Sequence, residues 1–486
     1  MSVNCKIVIK DEVNVKIEGL DLDTRKSLVK KFKYFDQKAR YLPAYKLGRW
    51  DGCTSFFGLG GATYMSLLPQ VIEEILKQGY DPLIEDYRRS MPLNFTRISE
   101  DFWGDQTWPE GHRFAGVKIR LRDDQVEVVN KFLENPQCIQ EIATGFGKTI
   151  TTATLAKICE KYGRTVIIVP NKSLVEQTEE DFINCQLDVG VYYGDRKDLD
   201  KTHTICTWQS LNVLDKKSKN TTEDEILTLA ELLEGVNCVM VDEVHMAKAE
   251  VLKKLLTQNL ANAPIRWGLT GTVPKEDIDF QNIKCALGDV VHQVKAHELQ
   301  EAGVLSSCHV NIVQTAEWKE FGSYPEELKY LVTDSDRVSW ISKLVSGIAE
   351  SGNTLVLVDR IETGRIITEA IEDSVFISGE VKTKDRKEEY DEIKTADNKI
   401  IVATYGVAAV GINIPRIFNL VMVESGKSFT RVIQSIGRGI RKADDKDFVQ
   451  IWDITASTKY AKRHLTERKK FYKEAKYPFT IEKVKY

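Results

Sequence analysis

Residues 142–149 have the residue types of a loop that wraps around nucleotide phosphates. Small residues allow backbone N–H groups to close on phosphate oxygens, Lys148 adds a mobile positive charge, and the Thr149 hydroxyl can ligate Mg²⁺. The strict G-x-x-x-x-G-K-[ST] pattern is not met, because Ile142 stands in place of the first glycine. The residues expected to hold the phosphates are Thr144, Gly145, Gly147, Lys148 and Thr149.

Two acidic residues downstream support this interpretation. Residues 237–245 have the pattern of a short buried strand, apolar and β-branched, that delivers Asp242 and Glu243 at its end. Ligands bind at the carboxyl ends of strands in open α/β sheets, so both carboxylates are expected near the phosphate loop. Asp242 would hold Mg²⁺ through its waters, and Glu243 would orient and deprotonate the attacking water. An isolated Asp-Glu pair is more often a solvated turn, but the upstream loop favours hydrolysis.

The composition is that of a folded protein, with 486 residues of which 42% are hydrophobic and 29% charged. At roughly 150 residues per domain this length predicts about three domains. The net charge of −4 gives no overall attraction to nucleic acid, so such binding needs local basic surfaces. Three basic segments exist, and each is more often a solvated face than a binding site. They are residues 30–33, 113–122 and 459–476.

The cysteine pattern and the lack of long apolar runs exclude several protein classes. Nine scattered cysteines without a C-x-x-C pair argue against a zinc site or a disulfide framework and for a reducing compartment. No apolar run approaches the roughly 18 residues that cross a bilayer, and the N-terminus lacks a signal-peptide core. We therefore expect a cytoplasmic protein.

The predicted fold class is α/β, with two tandem parallel-sheet domains that follow a small α+β domain. Between 113 and 300, apolar strands at 166–170, 204–208, 239–242 and 267–270 alternate with helical segments such as 151–162 and 173–184. The same alternation recurs between 301 and 456, with the connecting segment 298–307 as the expected hinge. Its strands are predicted at 354–359, 374–377, 399–403, 420–424 and 449–453.

The two ends of the chain have different patterns. Residues 1–112 combine alternating strands at 3–10 and 13–17 with helices at 24–35 and near 69–78, and become irregular after Met91, as in a linker. Residues 457–486 form a basic helix or tail, which either contacts a nucleic-acid strand or packs on the second parallel-sheet domain; packing is favoured.

Nine short motifs follow each other in a fixed order along the two α/β domains. They are RLRDDQ (120–125), IATGFGKT (142–149), VPNKSLVEQ (169–177), TWQS (207–210), DEVH (242–245), LTGT (269–272), ATYG (403–406), GINIP (411–415) and QSIGRGIR (434–441). This series resembles the superfamily 2 helicases and translocases of the D-E-x-H kind. The resemblance implies two RecA-like domains that clamp a nucleotide, with ATP and Mg²⁺ as cofactors.

The resemblance also assigns roles around the nucleotide. It implies that Gln125 reads the adenine edge, that His245 belongs to the nucleotide site, and that Thr270 and Thr272 relay nucleotide state between the domains. Three residues of the second domain would reach across the cleft to the γ-phosphate, where guanidinium groups stabilise spreading charge. They are Gln434, Arg438 and Arg441. Helical spacing (i, i+3) is expected to place both arginines on one face.

Other motif residues would hold the nucleic-acid backbone. Such contacts carry no base information, so little sequence preference is expected. By the resemblance they are Pro170, Thr207, Gln209, Thr404 and Gly411. Two positions depart from the family pattern: Ala143 where Pro is frequent, and Asn413 where related motors often carry Asp.

The N-terminal segment carries a further resemblance, to phage UvsW-type branch-migration helicases. It rests on a Pro-x-x-x-x-Gly-x-Trp-Asp-Gly arrangement with basic residues around it. The residues are Pro43, Gly48, Trp50, Asp51 and Gly52, with Arg40, Lys46 and Arg49. Such a domain implies engagement of duplex arms, with Arg49 and Trp50 as contacts; a Trp50 that merely packs the domain core is an equal alternative.

The favoured function is an ATP-driven DNA motor that remodels forks, four-way junctions and R-loops in phage replication, recombination and repair. The expected partner is branched DNA, and a monomer is favoured. An ATP-dependent RNA helicase is the alternative, because backbone contacts do not settle the polymer and the 2′-OH distinguishes RNA. A nucleic-acid-binding protein switched by ATP without turnover is disfavoured, because the Lys, Asp, Glu and Arg residues that hydrolysis needs are all present.

Overall fold

Short apolar runs form buried strands along most of the chain, and amphipathic segments form the helices between them. The computed structural model describes residues 3–112, 114–220, 227–245, 250–274, 277–378, 396–411, 414 and 416–486. Strands and helices are numbered below in chain order over these residues. No helix among them is both long enough and apolar enough to span a membrane.

The N-terminal region forms a four-stranded sheet in the order β5-β2-β1-β6 and a two-stranded ribbon of β3 and β4. Its strands are β1 (Val3–Ile9), β2 (Asn14–Glu18), β3 (Lys33–Phe35), β4 (Cys53–Ser55), β5 (Ala62–Tyr64) and β6 (Tyr80–Asp86). Its helices are α1 (Leu22–Lys31), α2 (Pro43–Lys46) and α3 (Leu68–Lys77), with 3₁₀ turns at Gln37–Tyr41 and Met65–Leu67. The region is α+β, as predicted.

The helix predicted over 24–35 is too long at its C-terminal end. It ends at Lys31, and residues 33–35 form β3, which pairs antiparallel with β4. Tyr34 meets the buried Phe56 edge-on at 5.7 Å between ring centroids. Pairing and aromatic packing in the ribbon therefore override the helical periodicity of this segment.

The N-terminal region shares its core with the first parallel sheet. Ile278 and Cys285, on the helix Asp277–Leu287, belong to the same buried cluster as the N-terminal strands. Glu12 N–H donates to the Ala261 carbonyl at 3.0 Å, and the Asn14 carboxamide donates to the Thr257 carbonyl at 2.8 Å. The two parts are joined by packing as well as by the chain.

The segment after Met91 is irregular, as predicted, but it is held against the first parallel-sheet domain at several points. Asn130 exchanges hydrogen bonds with the backbone of Ile98 at 2.8 and 3.1 Å. The buried Trp103 donates from its indole to Thr154 at 3.2 Å. A polar side chain of the first parallel-sheet domain thus satisfies backbone hydrogen-bonding groups of this irregular segment.

The first large sheet has eight strands in the order β10-β9-β11-β8-β12-β13-β7-β14. The β9–β10 hairpin is antiparallel, and the pairs from β9–β11 through β13–β7 are parallel. The strands are β7 (Gln137–Ile142), β8 (Arg164–Val169), β9 (Val189–Tyr193), β10 (Arg196–Lys197), β11 (His203–Thr207), β12 (Val236–Asp242), β13 (Ile265–Thr270) and β14 (Asp289–Val294). All four strands predicted between 113 and 300 are present.

Helices connect these strands, and the buried cluster on this sheet is almost entirely aliphatic. They are α4 (Asp123–Glu134), α5 (Lys148–Cys159), α6 (Lys172–Asn184), α7 (Trp208–Asn220), α8 (Leu229–Leu232), α9 (Glu250–Lys254), α10 (Asp277–Leu287) and α11 (Ala296–Glu301), with a 3₁₀ turn at Glu160–Tyr162 and a π-helical turn at Leu255–Asn259.

The second large sheet has seven strands, all parallel, in the order β17-β18-β16-β19-β20-β15-β21. The strands are β15 (Ser307–Thr315), β16 (Thr354–Val358), β17 (Ser374–Ile377), β18 (Ile400–Thr404), β19 (Asn419–Val423), β20 (Phe448–Ala456) and β21 (Phe479–Val484). The helices are α12 (Tyr324–Thr333), α13 (Ser335–Ala349), α14 (Ile361–Ala370), α15 (Tyr405–Gly411), α16 (Phe429–Gly439) and α17 (Lys459–Glu474). The five strands predicted between 301 and 456 are present.

The second sheet continues beyond residue 456, where the sequence placed a boundary. Helix α17 packs on β20, and β21 pairs with β15. The fully buried Arg468 of α17 binds both carboxylate oxygens of Asp453 on β20, at 2.8 and 3.0 Å. Tyr472 donates to the same carboxylate at 2.8 Å. The last 30 residues therefore complete this sheet.

Candidate nucleotide and nucleic-acid sites

The predicted phosphate loop connects β7 to α5. Gly145 has φ 87° and Gly147 has φ 93°, a left-handed conformation that glycine adopts without strain. Helix α5 begins at Lys148, so Lys148 and Thr149 lie in its first turn. Successive N–H groups in such a turn, followed by a helix N-terminus, form an anion-binding concavity. The local backbone therefore fits a phosphate group.

Strand register places the acidic motif at the same edge of the sheet as this loop. Asp242 of β12 is paired with Leu269 of β13, and Thr270 of β13 is paired with Glu141 of β7. The three strands thus end side by side; Asp242 is the last residue of β12, and the chain enters the loop at the end of β7. Oxygen ligands of this kind suit Mg²⁺, which takes one or two carboxylates together with substrate phosphates. No group of three or more His, Cys, Asp or Glu side chains forms a metal cage within the described ranges.

Glu243 and His245 belong to a chain of polar contacts that reaches the next strand. The Glu243 carboxylate lies 3.3 Å from Nδ1 of His245, and the same nitrogen lies 3.0 Å from the Thr270 hydroxyl. Thr270 donates to the Thr272 carbonyl at 2.8 Å. Glu243 has φ 54°, which is uncommon for a residue with a side chain and orients it at the strand end. The structure therefore brings together the predicted water-activating and coupling residues.

Gln125, which is predicted to bind adenine, also caps the start of helix α4. It is the third residue of α4, and its carboxamide oxygen accepts from the Arg122 N–H at 3.1 Å. This is a capping box, which satisfies a backbone donor at the helix start. A carboxamide oxygen has two lone pairs, so capping the helix does not prevent the same side chain from binding adenine. Adenine recognition by Gln125 stays a prediction.

Three predicted backbone-gripping residues lie together at the carboxyl edge of the first sheet. Thr207 is paired with Val169 in the β11–β8 register, so Pro170 and Gln209 follow neighbouring strand ends. The exposed Gln209 donates from its carboxamide to the Pro170 carbonyl at 3.3 Å. The Thr207 hydroxyl is buried against that of Ser210 at 2.9 Å. Contact of these residues with nucleic acid stays a prediction.

In the second domain, Thr404 ends β18 and Gly411 ends the helix that follows it. Asn413 and Pro415 lie outside the described residues. Gln434 and Arg438 lie on α16, whose Arg431 binds Asp359 at 2.8 Å and covers the Tyr405 ring at 5.1 Å.

The expectation that Arg438 and Arg441 share a helix face is wrong. Helix α16 ends at Gly439, and Ile440 is its C-cap. Arg441 instead forms an isolated antiparallel bridge with Leu305, and the neighbouring Ser306 N–H donates to the Ile440 carbonyl at 2.9 Å. Pairing with the chain ahead of β15 thus redirects the backbone between the two arginines.

Lys446 is a residue of this turn that the sequence did not single out. Its buried ammonium donates to the Gly439 carbonyl at 2.6 Å, between the two arginines. Burial, with the nearby Arg441 as a second cause, lowers the pKa of Lys446 to about 7. A lysine among aspartates is typical of a solvated turn, so only the fold reveals its role.

The motif resembling UvsW-type proteins forms a closed loop on the β3–β4 ribbon. Trp50 is half-buried, and its indole donates to the Cys53 carbonyl at 2.8 Å. Gly52 has φ 75°, and a Cβ there would come within 2.6 Å of the Phe35 ring, so only glycine fits. Trp50 holds this turn, whereas Arg49 is exposed.

The chain is similar to known helicases along most of its length. Residues 118–275 match the family described as type III restriction enzyme, res subunit, and residues 336–443 match the helicase conserved C-terminal domain. Over 455 residues the chain is 25% identical to the ATP-dependent DNA helicase uvsW of Enterobacteria phage T4, covering 89% of this chain and 87% of that protein.

Solved structures share the fold at lower identity. The ATP-dependent type ISP restriction-modification enzyme LlaBIII bound to DNA has a TM-score of 0.56 and 13% identity, over 86% of this chain and 34% of that one. Dbp5 of S. cerevisiae bound to RNA and ADP BeF3 has a TM-score of 0.53 and 14% identity, over 76% of this chain and 90% of that one. The fold is thus two RecA-like domains preceded by an α+β region.

Proposed function

We propose that this member of the superfamily 2 helicases of the D-E-x-H kind uses ATP hydrolysis to move on DNA and to remodel branched DNA. The observation that carries the proposal is the contact chain from Glu243 through His245 to Thr270. It lies at the carboxyl ends of β12 and β13, where a change in a bound nucleotide would alter both the water-activating carboxylate and the backbone of the next strand.

The first domain would supply most of the hydrolytic chemistry. Backbone N–H groups of the loop and the Lys148 ammonium bind the β- and γ-phosphates, and Glu243 accepts a proton from the attacking water. Thr149 and, through water, Asp242 would hold Mg²⁺, which when bound neutralises phosphate charge. Gln125 would select adenine.

The second domain would complete the site. Guanidinium groups of Arg438 and Arg441, with Gln434, would stabilise charge on the γ-phosphate oxygens in the transition state. The bend at Gly439, held by Lys446, presents the two arginines from a helix and from an extended segment. Loss of the γ-phosphate would release Gln434, Arg438 and Arg441 from the nucleotide. The two domains would then bind the nucleic-acid strand tightly in alternation.

Movement along the strand requires contacts that do not read bases. Pro170, Thr207 and Gln209 in the first domain, with Thr404 and Gly411 in the second, would bind sugar and phosphate groups. Little sequence specificity follows. The domain division proposed is 1–112 for duplex and junction contact, and 113–300 and 301–486 for the motor, with the basic segment 457–486 as part of the second motor domain.

The proposed substrate is branched DNA, in forks, four-way junctions or R-loops, and the proposed setting is phage replication, recombination and repair. The likeness to uvsW of phage T4, named an ATP-dependent DNA helicase, supports this choice. A monomer is the proposed working form. An RNA helicase is the second candidate, since Dbp5, which shares the fold, is bound to RNA in its structure.

ATP turnover on matched polymers tests the proposal. We expect forked DNA to stimulate turnover by the full chain more than RNA of the same sequence, and Lys148→Ala to abolish the stimulation. Greater stimulation by RNA would select the second candidate. Nucleic-acid binding that responds to ATP, with no turnover on any polymer, would instead indicate a switch without hydrolysis.

A further inference from the structure

The loop between β3 and β4 carries four basic side chains, and one of them, Lys38, lies 3.5 Å from the Asp279 carboxylate. Lys38, Arg40, Lys46 and Arg49 lie between Asp36 and Asp51, and no acidic residue intervenes. Arg40, Lys46 and Arg49 are exposed, and none of them makes an ion pair with a residue that the structure describes. This local charge contrasts with the net charge of −4 of the whole chain.

The loop is folded and held by internal contacts. Its ends are joined by the Asp36 N–H, which donates to the Gly52 carbonyl at 2.8 Å. Inside, the buried Ala39 packs beside Phe35 and Tyr45, whose rings meet edge-on at 5.8 Å. These contacts give the loop a small core of its own, called the inner core below.

Outside, the loop presents apolar side chains to solvent. Tyr41 is 79% exposed, Leu47 65% and Leu42 44%. Tyr41 and Leu42 are consecutive, and Leu47 follows them after one helical turn, in which Lys46 N–H donates to the Leu42 carbonyl at 3.1 Å and Leu47 N–H to the Pro43 carbonyl at 2.9 Å. The inner core does not use them, so their exposure requires another explanation.

We propose that Tyr41, Leu42 and Leu47 form a wedge that stacks on the end base pair at a DNA junction, while Arg40, Lys46 and Arg49 bind the flanking phosphates. This inference rests on the proposed function and names the part of the chain that meets the branch point. Apolar wedges inserted at base steps, and aromatic faces stacked on bases, are established ways for proteins to hold unpaired DNA.

Charge selects nucleic acid over a protein as the occupant. Cations with no acid among them favour a polyanion, and counterion release makes such binding dependent on salt. The wedge would also move with the first motor domain, because the N-terminal region shares a core with helix α10. A rigid wedge can separate strands only if the motor that pulls the strand carries it.

The test compares unwinding with ATP turnover in the full chain. We expect Tyr41→Ala/Leu47→Ala to unwind a forked duplex about tenfold less per ATP hydrolysed, on the scale of one lost base stack. Tyr41→Phe should retain unwinding, because it keeps the ring. The matched control is Leu83→Ala/Ile84→Ala, which removes side chains 53% and 60% exposed elsewhere in the same region and should behave as wild type.

Three results would overturn the wedge. They are unchanged unwinding per ATP in the double variant, an equal loss in the control, and a change of oligomeric state in the double variant without a change in unwinding, which would indicate a protein interface. Wild-type turnover that DNA does not stimulate would instead remove the proposed function, so the two failures are distinguishable.

Discussion

Two basic segments at opposite ends of the chain use their charge in opposite ways. In helix Lys459–Glu474, apolar side chains and the fully buried Arg468 face the second sheet, where Arg468 binds Asp453. In the loop at residues 37–50, the cations and three apolar side chains all face solvent. The helix is part of a core, whereas the loop presents a surface.

The difference shows that a count of basic residues does not separate structural charge from binding charge. Both segments mix Lys and Arg with Tyr, and the helix is the longer. What separates them is the position of the apolar side chains, because a helix that buries its apolar face has already found its partner. The exposed apolar tip of the loop has none within the described residues.

The largest effect expected from this comparison is on stability. Arg468→Ala leaves the Asp453 carboxylate buried without its guanidinium, which should lower the free energy of unfolding by about 3–5 kcal/mol. Urea unfolding followed by fluorescence measures it. Lys462→Ala, on the exposed face of the same helix, should change stability by less than about 0.5 kcal/mol. Equal effects of the two changes would contradict a structural role for Arg468.

The stability of the protein should depend on pH through a second buried basic residue, Lys446. The pKa of Lys446 is lowered to about 7 in the fold, whereas an unfolded lysine keeps a proton up to about pH 10. The unfolded state therefore binds more protons between these values, and wild-type stability should rise with pH across that window relative to Lys446→Met, by on the order of 1–3 kcal/mol. Parallel stability curves for the two proteins between pH 7 and 10 would refute this.

Removing charge from the loop should weaken DNA binding and leave stability unchanged. Arg40→Ala/Lys46→Ala/Arg49→Ala is expected to lower affinity for forked DNA about 10–100-fold and to reduce the salt slope by about 2–3. Fluorescence anisotropy across a salt series measures both quantities. A weaker complex with an unchanged salt slope would argue against phosphate contacts by these side chains.

The smallest effect is expected from the exposed face of the C-terminal helix. Lys462→Ala/Arg463→Ala/Lys473→Ala removes as many charges as the loop variant, and should lower affinity less than about threefold, as distant charges do. The same anisotropy series applies. A loss as large as that of the loop variant would erase the distinction between the two segments.

Local features of the fold and site could be predicted from the sequence, and long-range ones could not. Buried strands such as β8 and β16, and the Gly-Lys-Thr loop, are encoded in a few adjacent residues. Strand β21 has no buried residue and joins the sheet by pairing with β15, which no local pattern shows. In the same way Arg441 leaves the helix because Leu305 pairs with it.

Several contacts of the site residues could be assigned only from the fold. His245 could be assigned to the nucleotide site from its motif, but its contact with Thr270 requires the β12–β13 register. Lys446 is recognisable only once its ammonium is placed on the Gly439 carbonyl. Trp50 could be read either as a DNA contact or as packing, and its bond to Cys53 fixes the turn.

The central claim is that hydrolysis at the carboxyl edge of the first sheet powers movement on DNA, and Glu243→Gln tests it most directly. The change removes the proton acceptor while keeping the shape of the side chain. We predict that turnover stimulated by forked DNA falls by about 10²–10⁴-fold, while ATP-dependent binding of the same DNA is retained. Undiminished turnover in Glu243→Gln would contradict the account.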